Sequence, residues 1–381
     1  MGIFFFVLGL ILFICLVLVH EWGHFIMARR NGVEVEEFGL GFPPKAKTLT
    51  KKNGTEYTLN WLPLGGFVKL KGEHDIDDEP GSFGAASTSA KTKIMLAGVV
   101  MNLLTAFVLF TVVAWIGMPK ILDNQTTVAS DTQIIKTPEN VGVIKIGEVI
   151  EGSPAQKAGL KSEDRLVSVA GNDISETAQV SKITSDNAGK TVDVVVSRNG
   201  EEISKEITLN NSSPYLGVSS YSAQTGMEIR RSTWSAPIVA VGVMKDFTIA
   251  TMKGLGNAIS GLGSILAGTV TGNKEARQAG QAEASSQVAG PVGIFAVLYE
   301  ISKQGIGLVL FIIAIISLTL AIMNVLPIPA LDGGRLFVML LFRALKKPLK
   351  PELEEKIHGT GFMVLMALFV LITIVDIRRF F

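Results

Sequence analysis

His20, Glu21 and His24 stand together in "LVHEWGHFIMARR", Leu18 to Arg30, near the end of an apolar run that begins at Ile3. On a helix, histidines at i and i+4 project from one face about one turn apart, a spacing that suits two imidazoles to one zinc ion. Glu21 completes an HExxH arrangement, in which the glutamate takes a proton from water that zinc has acidified and need not bind metal itself. So short a pattern also arises by chance. The bland alternative is a pair of histidines near the interface, hydrogen-bonded to neighbouring helices. The setting favours chemistry, because ionisable side chains inside a membrane span are costly and usually functional.

Two histidines leave zinc short of a third protein ligand and an open position. Asp332, in "MNVLPIPALDGGRLF", is the intramembrane carboxylate that could supply the ligand. Pro327 and Pro329 interrupt the helical ladder there, while Gly333 and Gly334 permit a turn. Broken backbone at membrane depth is tolerated where it lines a protein-enclosed or watery cavity. The competing reading is a kinked span that ends on a helix-capping aspartate. His74 and His358 are expected in loops, as solvated surface histidines.

Such residues need a scaffold that crosses lipid. The 381 residues are 48% hydrophobic and 18% charged, with a mean hydropathy of +0.40, too apolar for an ordinary soluble protein and too mixed for a pure helical bundle. Net charge is +1, and no basic stripe interleaved with aromatics appears, which argues against a nucleic-acid partner. Cys15 has no partner cysteine and carries no redox signal. Four stretches approach the roughly 20 apolar residues that a span requires: Ile3 to Ala28, Ile94 to Ile116, Gly307 to Leu331 and Gly361 to Ile377. The first lacks a basic n-region and a small-residue cleavage site, and is expected to be a retained anchor. Lys and Arg crowd the loop from Arg29 to Lys93, which the positive-inside rule makes cytoplasmic. Arg378 and Arg379 run mildly against that topology. At a rise of about 1.5 Å per residue, His20 lies roughly 25 Å beyond Ile3, toward the cytoplasmic side. The third span runs in the same direction and brings Asp332 to the same leaflet.

Between these spans the pattern changes. "YTLNWLPLGGFVKL", within Thr50 to Lys71, reads as a hairpin, which pattern alone would put on the surface. His74 to Ser89 reads as a loop. Val141 to Leu209 alternates short strands about the Asn199-Gly200 turn, as a small soluble domain does. Trp234 to Val270 is expected to be an interfacial helix rather than a fifth span, and Asn273 to Ser286 a flexible polar loop.

Taken together, these motifs resemble the site-2 proteases, intramembrane zinc metalloproteases, and within them the bacterial regulator-of-sigma-E group that carries a PDZ module. The resemblance covers nearly the whole chain. It rests on His20-Glu21-Trp22-Gly23-His24, on Leu331-Asp332-Gly333, on "PLGGFVKLKGE" from Pro63 and "AGVVMN" from Ala97, and on "GPVGI" from Gly290 and "NVLPIP" from Asn324. It implies one catalytic zinc ion bound by His20, His24 and Asp332, with Glu21 as general acid and base. It also implies that the hairpin around Gly65, Gly66, Phe67 and Val68 dips into the membrane and aligns an unwound substrate as an added strand. That replaces the surface hairpin. Asn324, Pro327 and Pro329 would line the substrate groove, although kinked-helix packing is an equal alternative for the prolines taken singly. Two departures, Gly41-Phe42-Pro43-Pro44 and Val99, fall outside the metal ligands.

"EGSPAQKAGLKSEDRLVSVAGNDI" looks like a single bacterial PDZ core, with a carboxylate-binding loop expected near Asn140 to Gly142. It would either bind a peptide end or act as a steric module. The implied fold is a polytopic α-helical membrane protein of about four transmembrane helices, with a membrane-associated β-hairpin and an inserted extracytoplasmic PDZ domain of α+β type. Its parts would be 1–120 and 301–381 for the protease core, 127–220 for the PDZ domain and 221–300 for a following segment with an interfacial helix. The implied setting is a bacterial cytoplasmic (inner) membrane, with a bilayer around the core and single-pass membrane proteins as substrates, such as a trimmed anti-sigma factor or remnant signal peptides. The rival is a non-catalytic membrane PDZ scaffold with a structural zinc site; it lacks a convincing fourth ligand.

Overall fold

The computed structural model describes residues 2–74, 77–223, 226–273 and 290–380. The chain divides into two compact units, one of Met1–Gln133 with Arg230–Phe381 and one of Ile134–Ile229.

The first unit is built on helices too apolar to sit in water. α1 (Gly2–Arg30) packs against α2 (Thr88–Ile116), and α2 against α7 (Ile306–Val325). These three and α9 (Pro351–Phe380, apolar as far as Ile374) are long and apolar enough to cross a membrane. Their ends differ from expectation for local reasons. α2 begins at Thr88 rather than Ile94 because the Ser87 hydroxyl accepts the Ala90 N–H and caps the helix; the loop expected through Ser89 ends there. α7 stops at Val325, short of Leu331, since Pro327 and Pro329 lack the N–H groups that would continue the ladder. Asp332 therefore lies beyond the third apolar helix and opens a further one, α8 (Asp332–Ala344). α9 starts ahead of Gly361, so His358 is helical and half-buried, its Nδ1 accepting the Ala330 N–H at 3.2 Å. The loop expected for that histidine is absent.

Trp234 to Val270, expected to lie along the interface, falls almost wholly in α5 (Ala236–Thr271), which is not among the four span-like helices. Its N-terminal third buries Ala236, Val239, Ala240, Val243 and Phe247 with residues of α2 and α7. The Phe247 ring lies 6.2 Å from Phe110 and 5.7 Å from Phe311, centroid to centroid. The start of α5 is clamped by Asp131, whose carboxylate accepts hydrogen bonds from the backbone and hydroxyl groups of Thr233 and Ser235. Desolvation pushes that carboxyl up, but the four hydrogen bonds outweigh it and hold the pKa down to about 2. The polar stretch after Asn273 lies outside the described residues. α6 (Pro291–Ser302) follows it.

Between α1 and α2 the chain forms two long strands, β1 (Val35–Lys52) and β2 (Thr55–Leu70). Both fold back on themselves, so Val35–Phe42 pairs with Leu62–Leu70 on one side and has Glu56–Leu59 on the other, while Lys45–Lys52 pairs with Thr55–Asn60. The stretch expected to be a hairpin by itself thus supplies one strand of a pair, and its partner β1 was not anticipated. Among the described residues no other strand pairs with β2 beyond this sheet, so the outer side of Leu62–Leu70 is a free edge.

β3 (Met118–Pro119) and β4 (Gln133–Lys136) follow α2, and β11 (Ile229–Arg231) precedes α5. The second unit has its own sheet and core. β5 (Ile144–Val149), β6 (Arg165–Val169), β8 (Thr191–Arg198), β9 (Glu201–Thr208) and β10 (Val218–Ser222) lie in the order β10-β5-β6-β8-β9, with β7 (Asn172–Asp173) beside β6. The helices α3 (Pro154–Lys157) and α4 (Thr177–Asp186) complete it. Alternation along β8 buries Val192, Val194 and Val196 with Ile144, Ile146 and Leu166. The expected boundary at 220 would cut β10, which pairs with β5, and the compact unit runs on to Ile229.

Candidate metal centre and active site

The centre is assembled by two helices that face each other in antiparallel register. On α1, His20 and His24 are one turn apart. On α2, Ile94, Gly98 and Asn102 repeat the same four-residue step in the opposite direction. His24 Nδ1 donates to the Ile94 carbonyl at 2.7 Å, and His20 Nδ1 lies 3.2 Å from the Asn102 amide. Gly98 sits between them. A Cβ built there would come within 2.6 Å of His20 Nε2 and closer still to His24 Nε2, so only glycine lets α2 approach both rings. The two Nε2 atoms lie 3.2 Å apart.

The third group arrives from the other end of the chain. After α7 ends, the Ile328 N–H donates to the Leu326 carbonyl and the Leu331 N–H to the Ile328 carbonyl, with Ala330 between them in the left-handed region at φ 75°. Gly334 is required at the crossing, because a Cβ there would fall on the Ile328 carbonyl. The turn delivers Asp332 to the first turn of α8, where the helix dipole favours a carboxylate. Its Oδ2 lies 3.1 Å from His20 Nε2 and 3.3 Å from His24 Nε2. That oxygen is buried and has no hydrogen-bond partner. Three candidate ligand atoms within 4.8 Å of one another, one of them an orphaned carboxylate oxygen, suit a divalent cation of borderline softness with two imidazoles and one carboxylate. The fit is to zinc with a fourth position open, not to a closed four-ligand site.

That open side faces a cavity of about 470 Å³ lined by all three residues and by Glu21, Gly66, Phe67, Val68 and Asn324. The Val68 backbone N–H faces Glu21, and the Leu70 N–H donates to Glu73 at 3.0 Å. Backbone groups alternate sides along a strand, so Gly66, Val68 and Leu70 turn their N–H and C=O outward while Phe67 and Lys69 face β1. The free edge of β2 therefore runs along the cavity. At its end Arg335 of α8 lies 3.8 Å from Glu73.

Of the residues singled out by sequence, Glu21, Gly66, Phe67, Val68 and Asn324 share the cavity with the three candidate ligands. Gly65 adjoins it without lining it. Pro327 and Pro329 do not line it: Pro329 packs against α9 at Gly361, beside a second, apolar cavity. Asn102, Gly98, Glu73 and Arg335 were not anticipated as parts of the site. A lone Asn in an otherwise apolar span was the available signal for the first of these.

The model of peptidase family M50 matches residues 8–368. A Clostridium perfringens protein provisionally named zinc metalloprotease CPE1693 is 32% identical over 97% of this chain and 98% of its own length. The zinc metalloprotease RasP of Oceanobacillus iheyensis is 25% identical, with 98% of each chain covered. An Enterococcus faecalis protein named as a probable protease, eep, is 27% identical, again over 98% of each.

Proposed function

The chain belongs to peptidase family M50, and from that premise we propose that it is a membrane-embedded zinc endopeptidase that cuts the transmembrane segments of single-pass proteins. The observation that carries this reading is the convergence of His20, His24 and Asp332 with Glu21 and a free strand edge on one cavity. His20, His24 and Asp332 hold the ion. Zinc so held supplies Lewis acidity, which polarises a carbonyl and brings the pKa of water to about 7.

The remaining chemistry belongs to the chain. Glu21 takes the proton from the attacking water and passes it to the leaving amine, the general base and acid of one turnover. Gly66 and the Val68 carbonyl pair with the substrate backbone, holding as a strand what was a helix in lipid, where its amide would be shielded. Asn324 lines the groove. Substrates with helix-weakening residues are cut preferentially, since their spans open at lower cost.

On this proposal the protease core, with its four apolar helices, lies in a bacterial cytoplasmic membrane, with the catalytic residues toward the cytoplasmic side. Ile134–Ile229 is a PDZ-type unit held outside it. In this reading the enzyme acts second in regulated proteolysis, after another protease has trimmed the substrate's ectodomain, and a trimmed anti-sigma factor or a remnant signal peptide has the right chemistry.

The test is cleavage of a single-pass substrate in detergent by wild-type protein and Glu21→Gln, with bound zinc assayed in both. Loss of cleavage with zinc retained is expected. Undiminished cleavage by the variant would refute the mechanism; zinc without cleavage in either protein, across several substrates, would indicate a non-catalytic scaffold.

A further inference from the structure

We infer that Asn102 is a positioning residue for the metal centre: its side-chain carbonyl accepts the Nδ1–H of His20 and so fixes the tautomer that leaves Nε2 free for the metal. The inference rests on the metal reading above and adds to it a residue that holds a metal ligand in place rather than binding the metal itself.

His24 shows what the site requires. Its Nδ1 faces the Ile94 backbone carbonyl at 2.7 Å, which can only accept, so the proton is on Nδ1 and the Nε2 lone pair points at Asp332 Oδ2. His20 Nε2 stands in the same relation to that oxygen, at 3.1 Å, and must be equally bare to act as a ligand. Its Nδ1 must then carry the proton, and the group 3.2 Å away must accept it.

That group is the Asn102 amide, which has one end that donates and one that accepts, of nearly equal size. With the NH2 end toward His20, the imidazole would have to carry its proton on Nε2, among the other ligand atoms. That is the orientation the structure has, with Nδ2 3.2 Å from His20 Nδ1, and in it the Asn102 Oδ1 is also buried without a partner. Turning the amide over brings the orphaned acceptor to the Nδ1–H and removes both conflicts. The surroundings of Asn102 hold it in place. It is 1% exposed, it sits two turns beyond Ile94 on the α2 face that meets both rings, and its backbone carbonyl accepts the Ser317 hydroxyl of α7 at 2.8 Å. Acceptors of this kind orient ligating histidines and raise their basicity.

The experiment measures zinc affinity by chelator competition in purified, detergent-solubilised protein, for the wild type, Asn102→Leu and Asn102→Asp. Leu keeps the volume and removes the acceptor; Asp keeps an acceptor in place. Zinc affinity is expected to fall about 10- to 100-fold in Asn102→Leu and to stay within about threefold of wild type in Asn102→Asp. If Asn102→Leu does not fold, as judged by gel filtration and circular dichroism, Asn102→Ala makes the same comparison. Unchanged affinity in the variant without an acceptor would overturn the inference. So would equal losses in both variants, which would mean that Asn102 only packs α2 against its neighbours. A wild type that binds no zinc would instead sink the metal reading beneath it.

Discussion

At the scale of single residues, the centre depends as much on what is missing as on what is present. Gly98 has no side chain, and that absence lets α2 lie against two imidazoles that are themselves held, His24 by the Ile94 carbonyl and His20 by Asn102. Gly98→Ala would put a methyl group 2.6 Å from His20 Nε2, where neither ring can swing away without losing its partner. Zinc affinity should drop at least about tenfold, the range seen when groups that orient metal ligands are disturbed, and proteolysis should fall with it. Gly256→Ala on α5, where a Cβ meets nothing within 4 Å, should leave bound zinc unchanged, and helix propensity there should if anything improve. Normal zinc content in Gly98→Ala would show that α2 can retreat. The candidate ligands themselves were legible in the sequence because histidines at i and i+4 in lipid have few bland explanations, and Asp332 followed from zinc's need for a third group. Gly98 and Asn102 were not, since a glycine and one amide in an apolar span acquire meaning only when the opposing helix is known.

At the scale of elements, the β2 edge is the part that a substrate would meet. The Val68 N–H points outward to Glu21, and alternation of backbone groups along a strand then gives the ladder with β1 to the neighbouring residues Phe67 and Lys69. Proline at 68 removes an outward N–H and leaves the inner ladder intact; proline at 67 would break the ladder itself. Val68→Pro should therefore keep its fold and its zinc but lose cleavage by about tenfold or more, the worth of a hydrogen bond to a charged group. Catalysis and zinc content, measured side by side, separate this from a metal defect; full activity would mean that the edge does not engage the substrate or Glu21 in turnover. The four apolar helices could be read from sequence because hydropathy over some twenty residues is a local property. Their ends could not, since Ser87 as a cap and the turn at Leu326–Leu331 depend on short-range hydrogen bonding that hydropathy ignores. β1 escaped for a different reason: Gly39, Gly41, Pro43 and Pro44 look like a loop until the pairing with β2, set by residues far along the chain, makes them a strand.

At the scale of the whole molecule, the chain interrupts a helical core with a unit that has no need of it. Ile134–Ile229 buries its own apolar residues, among them Ile146, Leu166, Val169, Val194 and Val196, and closes its sheet from β10 to β9 within its own limits. The groups that converge on the candidate active site all come from the other unit. A module with an independent core can be removed without opening the core that remains, whereas removal of an integral layer would expose apolar surface and unfold the rest. Replacing residues 137–228, between β4 and β11, with a short Gly/Ser linker should therefore leave a protein that binds zinc and cuts a trimmed single-pass substrate at close to the wild-type rate. If the unit acts by bulk, the same deletion should also permit cleavage of a substrate that still carries its folded ectodomain, which the full chain rejects. Continued rejection by the deleted form would rule out a size filter. If cleavage of the trimmed substrate fell as well, the unit would have to be delivering that substrate, and peptide binding to the unit by itself would be the property to measure, since a strand-pairing site on a self-contained sheet survives separation from the core.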